Sequence, residues 1–132
     1  MFKEMSLTFS LQNILTGDPT CLDAYTILKM ATVNGAIAMG LKDADILEEG
    51  KLADLIEIDL SSPNMQPIND VVTNLVYSGN PSNVSMTMIN GKILYDNGQF
   101  FVGEDIENIY DNCQRCCDEL EKRYLLKSIG SK

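Results

Sequence analysis

Val84-Ser85-Met86-Thr87-Met88-Ile89-Asn90-Gly91-Lys92-Ile93-Leu94-Tyr95 reads as two short strands around one tight turn. Asn-Gly suits a two-residue turn because both central positions of such a turn need positive φ. Pairing across it sets Met88 against Ile93 and Met86 against Tyr95, and these residues share a parity with Val84. Turn chemistry and apolar alternation therefore select the same register, and the segment is predicted to be an antiparallel hairpin. Met86 and Met88 read as core filling rather than as an adaptable binding surface.

Upstream of the hairpin, Ser78-Gly79-Asn80-Pro81 is a turn. Gly79-Asn80-Pro81-Ser82 has no strand-to-helix context for phosphate binding. Val71 to Tyr77 reads as a strand, and Ser61 to Asn69, with its two prolines, as a loop. Ala53 to Leu60 alternates, with Ile56, Ile58 and Leu60 on one face and Glu57 and Asp59 on the other, so it is predicted to be a strand.

The texture before residue 50 is helical. Leu7, Leu11, Ile14 and Leu15 recur at helical spacing within Phe2–Leu15, and Thr16-Gly17-Asp18-Pro19 ends that helix. A second helix begins near Leu22 with Asp23 in its first turn, and Ala24, Ile27, Leu28 and Ala31 form its stripe. Thr32 is placed to cap a third, short helix running to Met39 and closed by Gly40. At the other end, Glu104 to Lys127 is predicted to be one long helix. Ile106, Ile109, Tyr110, Cys113, Cys117, Leu120 and Tyr124 share one face; Glu104 and Asp105 open the helix, and Lys122, Arg123 and Lys127 close it.

The composition narrows the chemistry. The chain has 132 residues, 45% hydrophobic and 22% charged, with no histidine and a net charge of −9. This is enough for one globular core. Nucleic-acid binding is disfavoured, since it needs clustered Lys and Arg. No apolar run approaches the roughly 20 residues of a membrane span, and Met1-Phe2-Lys3-Glu4 does not open a secretory signal. Of four cysteines, Cys113, Cys116 and Cys117 crowd into one helical segment, away from Cys21, which fits reduced, cytoplasmic thiol usage. Cys113-x-x-Cys116 lies in mid-helix, and a structural zinc would want four ligands, so these cysteines read as small buried hydrophobes. Asp43 with Asp45, or Glu48 with Glu49, could be offered for acid–base work, but no spacing singles them out from solvated loop charge.

The collinear set of motifs resembles the C-terminal end of the amidohydrolase superfamily, in particular the methylthioadenosine/S-adenosylhomocysteine deaminases and related chlorohydrolases. Gly17-Asp18-Pro19-Thr20, Leu28-Lys29-Met30-Ala31-Thr32 and Asn34-Gly35-Ala36 resemble the last helices of that family's barrel. Gly50-Lys51 with Ala53-Asp54-Leu55-Ile56 resembles the entry to its small β domain. Pro63, Pro67, Asn69-Asp70-Val71-Val72 and Leu75-Val76-Tyr77 resemble the deaminase branch, and Ile89-Asn90-Gly91-Lys92 with Asn97-Gly98 its final hairpin.

The resemblance implies an α+β fold: the last helices of a (β/α)8 barrel, part of the small C-terminal β domain (strand, strand, hairpin), and a long terminal helix. The expected division is residues 1–50, 51–102 and 103–132. The family's chemistry is hydrolytic deamination, in which a divalent metal such as zinc, held by histidines and an aspartate, activates a water. The resemblance places those ligands before Met1, so no catalytic, cofactor-binding or metal-binding residue is expected here. The expected function is a C-terminal portion of a metal-dependent aminohydrolase, inactive alone and partnered by the missing barrel portion or by its own copies. The rival is a free-standing, non-catalytic α+β module that self-associates through an open sheet edge.

Overall fold

The computed structural model describes residues 1–129, with side chains described through residue 124. It divides into two compact units, Met1–Gly98 and Gln99–Lys132.

The first unit opens with three helices. Helix α1 spans Phe2–Thr16 and stops at Gly17, whose N–H donates to the Asn13 carbonyl. Helix α2 spans Ala24–Ala31. Asp23 is its N-cap rather than a first-turn residue, and its carboxylate accepts from the Thr26 N–H at 2.9 Å. Helix α3 spans Val33–Ala38. Thr32 precedes it but does not cap it with its side chain: the hydroxyl donates back to the Leu28 carbonyl at 2.8 Å. A threonine just past one helix has that carbonyl within reach, and the back-bond wins over the forward cap.

The expected strand at Val71–Tyr77 is a helix, α4, spanning Val71–Ser78. Val71-Val72-Thr73 is β-branched and favours strands locally. Two stronger features override it. The Asp70 carboxylate accepts from the Thr73 N–H at 2.7 Å and caps the helix start. Val72, Leu75 and Val76 then fall at helical spacing, with Val76 completely buried. That face closes the core: Val76 packs with Met5 of α1 and with Ala24 and Ile27 of α2, flanked by Phe2, Phe9, Leu28 and Val72. The Phe9 and Tyr77 rings meet at 4.4 Å between centroids, tilted by 48°.

Gly79 follows at a forced position. A Cβ there would collide with the Leu75 carbonyl oxygen and press on the Phe2 ring.

Strands β1 (Leu55–Ile58), β2 (Val84–Ile89) and β3 (Lys92–Asp96) are successive antiparallel neighbours. β1 is shorter than the alternation predicts because its ends are tied off. The Asp54 carboxylate accepts from the Asn90 N–H, and the Asp59 N–H donates to the Asn83 carbonyl.

The hairpin turns at Asn90-Gly91, with φ of 49° and 74°. Met88 faces Ile93 as the parity predicts. Beyond that pair the register shifts: Thr87, not Met86, faces Tyr95, and Met86 faces Asp96. Leu94 is the extra residue, a β-bulge. The shift brings Asn97 opposite Ser85, where its N–H donates to the Ser85 carbonyl at 2.8 Å and anchors the next turn.

The second unit contains β4 (Gln99–Phe100) and α5 (Ile106–Ile129). Asp105 lies just outside α5, where its carboxylate accepts from the Glu107 N–H at 2.9 Å. Lys127 lies outside the residues with described side chains. Cys113, Cys116 and Cys117 are exposed, not buried as the sequence suggested.

Candidate functional site

A concavity of about 670 Å³ in the first unit lies where the segment after α3 passes over β1 and β2. Val33, Ile46, Leu47, Ile56, Met88 and Ile89 supply its apolar lining. Asp45 and Asp54 also line it, but both are already engaged.

Asp45 receives Lys51 Nζ at 2.8 Å, and the same ammonium donates to the Lys42 carbonyl at 2.8 Å. The Lys51 hydrogen bond holds the Asp45 carboxyl below the usual carboxylate range, and Asp45 in turn raises Lys51. The Leu52 N–H donates to the Asp43 carbonyl and the Lys51 N–H to the Glu48 carbonyl. The sequence drew attention to Gly50-Lys51 as a motif but gave no sign that Lys51 reaches back six residues to Asp45. This lysine fastens the connection between helices and sheet. Asp54 fixes the hairpin through Asn90. The Asp45 carboxylate is thus paired with the Lys51 ammonium, and that of Asp54 with the Asn90 N–H.

A second polar cluster is built around Asn83, which is completely buried. Asn83 Oδ1 accepts from Asn64 Nδ2 at 2.9 Å and from the Asn80 N–H at 3.0 Å, while its Nδ2 donates to Asn64 Oδ1 at 3.2 Å. Asn64 also donates to the Ser78 carbonyl at 2.8 Å. This network locks the loop after β1 to the end of α4 and the start of β2. Sequence reasoning passed over it because an asparagine in a turn-rich stretch carries no mark of burial.

The zinc implied by the family resemblance can be tested against the donors present. The sequence has no histidine. Among the described residues, no group of three or more His, Cys, Asp or Glu side chains comes together to hold an ion. The four cysteines are free and exposed. This donor set does not fit a catalytic zinc, which takes three protein ligands drawn mostly from imidazole.

Comparison with known proteins gives a consistent picture. The sequence matches the amidohydrolase family over residues 1–94. It is 46% identical over 101 residues to a 5-methylthioadenosine/S-adenosylhomocysteine deaminase of Thermococcus onnurineus, covering 76% of this chain and 24% of that protein. It is 37% identical over 123 residues to a 5'-deoxyadenosine deaminase of Methanosarcina acetivorans, covering 93% of this chain and 28% of that protein. The crystal structure of a zinc-bound adenosine deaminase from Xanthomonas campestris superposes with a TM-score of 0.85 at 32% identity, covering 92% of this chain and 28% of that one. The chain thus spans about a quarter of the length of the relatives it matches.

Proposed function

The chain belongs to the amidohydrolase family, and from that premise we propose that it is the C-terminal segment of a zinc-dependent nucleoside aminohydrolase, supplying packing surface and sheet strands but none of the metal ligands. One observation carries this reading: the match takes in 92% of this chain but only 28% of a zinc-bound deaminase. A fragment of that kind has helix faces built to lie against polypeptide it does not contain. Leu7, Leu11, Ile14 and Leu15 of α1 fit that description, since they are exposed while Met5 on the same helix is buried. Association with the remaining barrel portion, in the cytoplasm, belongs to the same proposal.

The relatives' names support a reaction class for the whole enzyme: loss of an amino group, as ammonia, from an adenosine-type base. In this reading a metal would be held by residues outside this chain. The residues of this chain hold geometry: the Lys51–Asp45 pair sets the passage from helices to sheet, and the Asn83 network sets the passage from α4 to β2.

The second reading, a free-standing module that self-associates, draws on β1. Among the described strands it pairs only with β2, so its other edge is open.

Elemental analysis of the purified chain, together with an ammonia assay on methylthioadenosine, tests the proposal. It predicts substoichiometric zinc and no ammonia. Zinc bound one to one with turnover would overturn it.

A further inference from the structure

Asparagine precedes glycine three times in this chain, at Asn34-Gly35, Asn90-Gly91 and Asn97-Gly98. In such a pair the glycine's amide nitrogen can close on the asparagine's own Cγ, because no Cβ on the glycine crowds the approach. Closure needs that nitrogen released from other bonds and the asparagine backbone able to turn. The three pairs differ in both respects. Asn34-Gly35 lies inside α3, within a turn closed by the Ala36 N–H on the Thr32 carbonyl at 2.9 Å. Rotating the Gly35 nitrogen toward Asn34 Cγ breaks that helical turn. At Asn90-Gly91 the nucleophile itself is tied. The Gly91 N–H donates to the Ala53 carbonyl at 3.2 Å, and the Asn90 N–H to the Asp54 carboxylate at 2.6 Å.

Asn97-Gly98 has neither restraint. The Gly98 N–H has no hydrogen-bond partner among the described residues, no atom stands within 4 Å of where a Gly98 Cβ would be, and both residues are exposed. The Asn97 N–H is held on the Ser85 carbonyl at 2.8 Å, which fixes the residue under attack and leaves the attacking nitrogen free. The strand that follows, β4, has only two residues, so this turn opens at less cost than one set between long strands.

We propose that Asn97-Gly98 is a site of self-modification, at which the Gly98 nitrogen displaces the Asn97 amide nitrogen. The Gly98 nitrogen gives its proton to solvent base and forms a bond to Asn97 Cγ. The Cγ–Nδ2 bond breaks, Nδ2 takes a proton from water and leaves as ammonia, and its hydrogen bond to Asp96 is lost with it. Water then opens the succinimide ring at either carbonyl, giving an aspartate or an isoaspartate. Each event consumes one water and releases one ammonia, and nothing is oxidised or reduced. Either product adds one negative charge beside Asp96, on a chain whose net charge is already −9. The isoaspartate also carries the main chain through Cβ, adding an atom to the turn after β3.

This inference does not rest on the aminohydrolase reading. The test incubates the full chain folded, in warm and mildly alkaline buffer, and in parallel in denaturing urea. Peptide mass spectrometry follows the exchange of NH2 for OH at each pair, and electron-transfer fragmentation separates isoaspartate from aspartate. In the folded chain Asn97 is expected to convert roughly tenfold faster than Asn90, the ratio that about 1.4 kcal/mol of hydrogen bonding at Gly91 supplies. Asn34 is expected to lag behind Asn97 as well. In urea the three rates are expected to converge, since folding alone sets them apart. The N97Q variant, kept folded, is expected to lack the acidic species that wild type accumulates on ion exchange. Equal rates at the three pairs in the folded chain, Asn90 or Asn34 converting first, or an acidic species that persists in N97Q would each overturn it.

Discussion

Asn83 concentrates more of the local structure than any other polar residue of the first unit. Its backbone and side chain together engage Asp59, Asn64 and Asn80. Replacing it with alanine removes its side-chain hydrogen bonds to Asn64 and strips the Asn80 N–H of its partner, leaving space where the buried amide stood. Such a change costs on the order of 2–4 kcal/mol, combining the lost contacts and the unsatisfied amide. Urea unfolding of Asn83→Ala should show that loss as a lower midpoint, and a change below about 0.5 kcal/mol, the ordinary range for a neutral surface substitution, would contradict the network's importance. Asp23 and Asp70 act at the same scale through their caps. The Thr26 N–H and hydroxyl lower the carboxyl of Asp23, and the Thr73 hydroxyl and N–H lower that of Asp70, both from an ordinary 3.8. A lowered folded-state value means the contribution is present above about pH 3.8 and is lost as the pH falls through the lower folded values. The D23N/D70N variant, whose caps do not titrate, should therefore lose less thermal stability than the wild type between pH 5 and pH 2 by circular dichroism. Equal losses would show that the caps are not what acid removes.

Among the elements, the hairpin was the most legible because two independent signals coincided. Asn90-Gly91 demanded a turn with positive φ, and the Met88–Ile93 parity demanded the same register. Replacing Gly91 with valine should cost on the order of 1 kcal/mol or more, since its φ of 74° is strained for a β-branched residue; an unchanged thermal midpoint would remove the turn from the account. The bulge at Leu94 was invisible to alternation. It is imposed from the next turn, where Asn97 must reach Ser85. Helix α4 was misread for a related reason. Val71-Val72-Thr73 carries strand propensity in its own side chains, while the deciding evidence lay outside it, in the Asp70 cap and in the core that α1 and α2 present to Val76. The α1 stripe was found correctly as a pattern, but spacing alone does not say whether a face is covered. Met5, on a different side of that helix, is the residue that enters the core.

At the scale of the molecule, the sequence already carried the family, through the order of motifs that are individually weak. The carboxylates around the concavity could not be sorted from sequence, because their partners Lys51 and Asn90 become neighbours only on folding. The account as a whole holds that these residues complete a catalyst whose metal ligands lie in other polypeptide. The most direct test is reconstitution in trans. The Thermococcus onnurineus deaminase, with the segment matching this chain deleted, would be mixed with this chain and zinc, and ammonia release from methylthioadenosine followed. The account predicts no release from either piece alone and release from the mixture, saturating with added chain. Ammonia from this chain by itself, or none from a mixture in which the two pieces demonstrably bind, would contradict it.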